Sequence, residues 1–524
     1  MRSWFLLCVL LLLTWGAFSQ SRSQATTRIL LIPLDERPPC LQFPIQMGKI
    51  GDVEVVSPPR HLLGRFTDVG QSDEIVRWLR AQSLTRFDAA IISVDMLAYG
   101  GLVGSRIHGV SAQKALDRVQ IVRELRRKAP GLKIYGSSVI MRLAPTADGK
   151  NEGYREKLAR WAEVSPDTML LDQTRQLEQA IPQAALADYK QARLRNLQVN
   201  QFAIGLAREK VFDYLIVSQD DAKPRGVHIR DRENLTNTVK QANLTEQVAI
   251  QPGADEVSML LLARAMTDRY GYHPRIKAIY SSETAANTVM PFEDRPLRQT
   301  VSFHLKAVGA REVSDPGEAD LLYYVFASRF EAGSARQFAD QIIRSPDKGI
   351  IIADVDPKGD VQGGDIPFTE ALKDASVFAR TYGYACWNTA GNTVGTALPH
   401  GILAGVSRVV AQAKPAAVPR MNQAQVWFML NRLLDDYTYH SLVRPEANKR
   451  CRASQWNPNR LTPEQTKTIE AYCMTELQPI ATRTAAGFFP KDSARRCTIT
   501  NLRFDLPWDR TFEAEIDFDL KLNN

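Results

Sequence analysis

The feature that most constrains this chain is a recurring succession of short apolar runs, each followed by a stretch of helical period. Residues 28–34 (RILLIPL), 53–57, 87–94 (FDAAIISV), 133–140, 214–218 (YLIVS), 248–251 and 276–280 read as strands. The rhythm restarts with strands at 321–326 (LLYYVF), 349–355 (GIIIADV) and 379–385. Between them lie helical patterns at 73–81, where Ile75, Val76 and Leu79 share a face, and at 112–128, 186–209, 255–270, 335–343, 368–374 and 392–412. Pro399 is expected to kink the last of these. Uninterrupted apolar strands alternating with helices are the pattern of a mostly parallel sheet covered on both faces. The expected class is therefore α/β. It comprises a barrel-like N-terminal domain over 26–315, a smaller second α/β domain over 316–415, and a helical region over 416–524. Alternation in FEAEIDFDLKL predicts a closing β-hairpin.

Composition removes other classes. The 524 residues are 44% hydrophobic and 24% charged, which disordered and collagen-like chains are not. The 66 basic and 58 acidic residues give a net charge of +8 but are interspersed, with no basic tail, so no nucleic-acid partner is expected. Residues 1–19 read as a secretory signal, with Arg2 before an apolar run at 4–13 and small residues Ala17 and Ser19 at the cleavage site. The run is too short to span a bilayer. No later segment reads as a membrane span, so an exported protein, periplasmic or extracellular and without stable membrane insertion after cleavage, is expected. An oxidising compartment permits one disulfide, with Cys451–Cys473 and Cys451–Cys497 as the candidates. No C-x-x-C, H-E-x-x-H, G-x-S-x-G or phosphate-loop motif occurs, and no metal or cofactor is assigned.

Ligands of α/β folds gather at the carboxyl ends of strands. Polar clusters stand there at Asp35-Glu36-Arg37, at Asp95 through Tyr99 to Gly101, at Asp220-Asp221, at Asp255-Glu256, at Trp387-Asn388 through Asn392, and at Asp354, Asp356 and Asp365. Each has a local explanation: an ion pair, a turn, a helix cap, a carboxylate on a helix dipole. Two adjacent acidic pairs at two strand ends exceed what capping needs. Neighbouring carboxylates push one pKa up, which supplies a proton donor beside an ionised partner, the division of labour glycoside hydrolysis uses. Asp220, Asp221, Asp255 and Glu256 are accordingly the expected catalytic acids. Asp35, Arg37, Asp95, Tyr99, Trp387, Asn388 and Asn392 are the expected substrate-binding residues. Arg37, Arg142 and Arg225 are candidates to hold a substrate carboxylate.

The stretches IPLDERP, SVDMLAYGG, QDDA, GADE, WNTAGNT and LPWDRTFE resemble a bacterial family of about this length catalogued as a domain of unknown function. The resemblance spans nearly all of the expected mature chain. It implies one shared architecture and carries no activity. The functional expectation is an exported carbohydrate-active hydrolase acting on a glycan or other small polar substrate, acidic or N-acetylated. A glycan- or solute-binding protein without turnover is one alternative. A metal-dependent ester or amide hydrolase, with a cation on Asp220, Asp221 and Asp255, is the other.

Overall fold

The computed structural model describes residues 26–360 and 362–523. The expected signal segment and Cys8 lie outside the described residues. Strands β1 (Thr27–Ile32), β2 (Val53–Val56), β3 (Ala89–Ser93), β4 (Lys133–Ile140), β5 (Tyr214–Gln219) and β6 (Val248–Pro252) form a six-stranded sheet in the order β2-β1-β3-β4-β5-β6. All its neighbours are parallel. Strands β7 (Arg275–Tyr280), β8 (Arg311–Glu312), β9 (Leu321–Phe326), β10 (Gly349–Asp354) and β11 (Thr381–Ala385) form a second parallel sheet, ordered β8-β7-β9-β10-β11. In both sheets the second strand lies outside the first and the chain then crosses back, which creates a switch point.

The α/β class, the parallel sheets and the helical C-terminal region with its hairpin are as the sequence implies. The barrel is not. Strands β2 and β6 are the two edges of the first sheet and do not pair with each other, so that sheet is open. A barrel and a doubly wound sheet share the same strand–helix rhythm; strand order decides closure, and the reversal after β2 leaves two edges. Strand β7, within residues 26–315, pairs with β9 in the second sheet.

Burial explains the unbroken apolar strands. In β1, Ile29 and Leu31 enter a core shared with the second sheet, and Leu30 and Ile32 enter the core on the opposite face. The helices Val257–Tyr270 and Ala390–Ala413 pack against each other in the shared core. Their approach requires Gly395, where a Cβ would fall 2.2 Å from Cγ of Glu256. The Ala390–Ala413 helix runs on through Pro399. Contrary to the sequence reading, this helix is long and apolar enough to cross a membrane, and 78% of its apolar window is buried within the protein.

After the helix Val418–Arg432, an eleven-residue π-helical stretch, Leu433–Val443, leads into further helices and the antiparallel hairpin of β12 (Arg496–Asp505) and β13 (Glu515–Asn523). Asp436 in the π-helical stretch accepts the backbone N–H of Cys386 at 2.9 Å through Oδ2, and that of Gly364 at 3.3 Å through its carbonyl. This fixes the loops that follow β10 and β11. The hairpin returns to the first sheet: Gln42 Nε2 and Asn431 Nδ2 both donate to the carbonyl of Ile516, at 3.0 and 2.8 Å. The expected disulfide is absent: Cys451, Cys473 and Cys497 are buried free thiols, as are Cys40 and Cys386. They pack as small apolar groups, with Cys497 Sγ donating to the carbonyl of Ala485.

Candidate functional site

The carboxyl ends of both sheets open onto one cleft of about 360 Å³, which the C-terminal segment completes. A larger groove of about 1030 Å³ lies beside Lys373, Arg483, Phe488 and Arg496. Of the two acids that line it, Glu370 and Asp374, the first is paired with Lys373.

The floor comes from β5. Its last residue, Gln219, and the two that follow, Asp220 and Asp221, line the cleft. Asp220 Oδ2 accepts from Arg106 Nη2 at 2.6 Å, and Asp221 Oδ2 accepts from Arg142 Nη1 at 2.7 Å. Asp220 Oδ1 also accepts the backbone N–H of Asp221 at 2.9 Å. The two acids therefore differ. Burial pushes Asp220 up, but Arg106 and Arg142 overcome it and hold this carboxyl below its ordinary range. Asp221 is held above its ordinary range by burial and by the charge of Asp220. Its side chain is 35% exposed and reaches into the cleft.

One wall is an ion cluster centred on Arg37. Its Nη2 donates to Asp35 Oδ2 and Asp255 Oδ1, both at 2.6 Å, and its Nη1 donates to Glu513 Oε1 at 2.8 Å. The guanidinium also lies 4.5 Å from the ring centre of Trp508. The loops after β1 and β6 and the C-terminal segment are tied together here. Burial pushes Asp255 up to about 7, with Asp35 and Glu513 adding to it against Arg37. Burial raises Glu513 too, but Arg510 and Arg37 outweigh it and bring the carboxyl below its ordinary value.

The opposite wall comes from the second sheet. Asn388, from the loop after β11, and Asn392, from the first turn of the helix Ala390–Ala413, line the cleft, and Asn388 Nδ2 donates to Asn392 Oδ1 at 2.9 Å. Glu293, on the loop after the helix Glu283–Asn287, lines it as well. Its Oε1 accepts the backbone N–H of Gly391 at 3.0 Å. Burial, with the charges of Glu256 and Asp221, pushes Glu293 up to about 8. At neutral pH it is a carboxylic acid holding its proton.

Of the expected catalytic acids, Asp220, Asp221 and Asp255 meet in the cleft although Asp255 lies far along the chain. Glu256 does not face it. That side chain is fully buried behind the wall, accepting from Asn392 Nδ2 at 2.8 Å and the Ala254 N–H at 3.2 Å, with His304 Nε2 at 3.4 Å. Among the expected binding residues, Arg37, Asn388 and Asn392 line the cleft and four do not. Asp35 is buried against Arg37. Asp95 is buried in the short helix Val94–Tyr99 after β3 and accepts the N–H of Val139, within β4, at 2.9 Å. Tyr99 is buried beneath Arg195, 4.1 Å from its ring centre. Trp387 is core: its Nε1 donates to Thr396 Oγ1 at 3.1 Å and its ring meets Phe43 edge-on. Arg225 pairs with Glu163 at the surface. The sixth acidic group also stays apart from the cleft, with Asp354 buried against Arg329.

Sequence reasoning missed Glu293, Arg106, Arg155 and Arg510 as lining residues. Arg106 stands five residues beyond the SVDMLAYGG stretch, which ends at Gly101. Glu293 stands well past the end of β7 and gives no strand-end signal.

Asp35, Cys40 and Asp255 offer ligand atoms within 4.8 Å of one another. Arg37 already occupies both carboxylates, and the Cys40 thiol is held protonated by burial and by Asp35 and Asp255. A cation would have to displace a buried guanidinium, so this trio does not fit a metal.

A family model described as Protein of unknown function (DUF4127) matches residues 29–517. No curated protein matches the sequence.

Proposed function

The chain belongs to this family, whose description assigns no activity, and we propose from the cleft itself that it is a hydrolase cleaving glycosidic bonds by carboxyl acid/base catalysis. The observation that supports this reading is the pairing of unlike acids at one cleft. Glu293 retains its proton up to about pH 8, and Asp221 is partly exposed with raised basicity. In the proposed step Glu293 gives its proton to the leaving oxygen while Asp221 takes a proton from the attacking water. Asp220, paired with Arg106, stays ionised and sustains the raised pKa of Asp221. Asn388 and Asn392 offer amide groups for sugar hydroxyls. Asp255, committed to Arg37, holds the wall rather than the substrate. The export expected from residues 1–19 would place this chemistry outside the cytoplasm.

The test is product release from a panel of neutral, acidic and N-acetylated oligosaccharides. Glu293→Gln and Asp221→Asn are each expected to lower turnover by about 10²–10⁴-fold with the fold retained. Full turnover in both variants removes these acids from the mechanism. Binding without release by the parent protein makes it a binding protein.

A further inference from the structure

We propose that the cleft is built for substrates bearing an anionic group, a carboxylate or a phosphate, seated on Arg155 with Arg142, Arg106 and Thr146. This deepens the hydrolase reading by naming the substrate class, and it rests on that reading only for why the cleft is used.

Three guanidinium groups, from Arg106, Arg142 and Arg155, line one end of the cleft. The carboxylates beside them are Asp220, paired with Arg106, and Asp221, paired with Arg142. Arg155 makes no ion pair among the described residues. Its single side-chain hydrogen bond there runs from Nε to the carbonyl of Pro145 at 3.1 Å, which leaves both Nη groups for a ligand. Thr146 Oγ1 accepts from Arg106 Nη1 at 3.1 Å, and its own proton is free to donate. Arg106 is 8% exposed and its buried Nε has no partner. Glu293, which also lines the cleft, is uncharged at neutral pH, and Glu156, whose charge acts on Arg155, is not among the lining residues. Among the lining residues Arg106, Arg142 and Arg155 therefore exceed Asp220 and Asp221 by one charge, and burial and the charge of Arg142 weigh on Arg106 and Arg155 alike. An anion relieves that repulsion and meets planar donors matched to its oxygens. The loop carrying Thr146 is braced for this by Asn151, whose Nδ2 donates to the Thr146 carbonyl at 2.6 Å.

The test is calorimetric titration of the full chain with glucuronate, glucose 6-phosphate and glucose, each in low and high salt. Glucuronate or glucose 6-phosphate is expected to bind more tightly than glucose by about tenfold or more, with the advantage shrinking as salt rises. The arm with the larger advantage identifies carboxylate or phosphate. Arg155→Met, which breaks no ion pair, is expected to erase that advantage and leave the thermal unfolding temperature near the parent's. Equal affinity for glucose and the anions overturns the proposal. So does an unchanged anion affinity in Arg155→Met, or no binding of any probe. Anion binding through Arg155 without cleavage of any glycan sinks the hydrolase and keeps the seat. Cleavage of neutral glycans alone, with no anion binding, does the reverse.

Discussion

Replacing Glu293 by Gln tests the electrostatics of the cleft without a substrate. Glu293 titrates at about 8 in the folded chain, against 4.5 for an ordinary Glu. Between those values the unfolded chain has released this proton and the folded chain has kept it. Stability therefore falls as pH rises through the window, by about 1.4 kcal/mol per unit, and the full penalty is about 5 kcal/mol. Allowing for relaxation of the site and entry of water roughly halves that figure, to ~2–3 kcal/mol. Gln is neutral at every pH, keeps an oxygen for the N–H of Gly391, and pays none of it. Urea unfolding of parent and variant should give near-equal stability at about pH 5, and a variant more stable by ~2 kcal/mol or more at about pH 8.5. A stability difference that stays constant between the two pH values would show that Glu293 does not hold its proton, and the proposed proton donor would fall with it.

Arg37→Met leaves Asp35, Asp255 and Glu513 buried together without their cation. It should cost about 3–5 kcal/mol in urea unfolding near neutral pH, a loss that shrinks in acid as the carboxyls take up protons. Gly395→Ala drives a methyl group into Glu256 and should destabilise by about 1–3 kcal/mol, while Gly109→Ala, with open space around its Cβ, should leave the unfolding temperature near the parent's. With a cleavable glycan in hand, kcat/KM should decline as pH rises through about 8, because the donor must be protonated. A flat profile there removes Glu293 as the acid.

The strands were legible because both faces of each sheet are covered, so Leu30, Ile32, Ala90 and Ile92 on one face and Ile29, Leu31 and Ile91 on the other all had to be apolar. Closure was not legible, since no residue within a strand records which neighbour it pairs with. The acids after β5 and β6 could be found because strand ends face the cleft. The same rule misled at Asp95, Tyr99 and Trp387, where a polar or aromatic group past a strand turns back into the wall. Direction at a strand end depends on the loop, and the loop on distant partners such as Val139 and Thr396. Glu293, Arg155 and Arg510 reach the cleft from long connections and from the C-terminal segment, where hydrophobic period carries no information about position.

The charges themselves argue that this seam is held for use. Arg37 is 4% exposed and meets Asp35, Asp255 and Glu513, each also buried. Apolar side chains of similar volume would join the same three segments at no greater cost, because the desolvation of buried ions offsets much of their attraction. What apolar packing cannot supply is a fixed field. The cluster orients one wall, leaves Asp255 near its titration point, and places charge within reach of Trp508 and Arg510. Across the cleft, Asp220 and Asp221 are separated in acidity by the arginines they pair with, and Glu293 is kept neutral by its burial. Three carboxyl groups of unlike acidity around one cavity are a costly arrangement for holding two sheets together and a productive one for moving protons. If Arg37→Met were to leave both stability and the pH dependence of unfolding unchanged, the cluster would not be exerting that field.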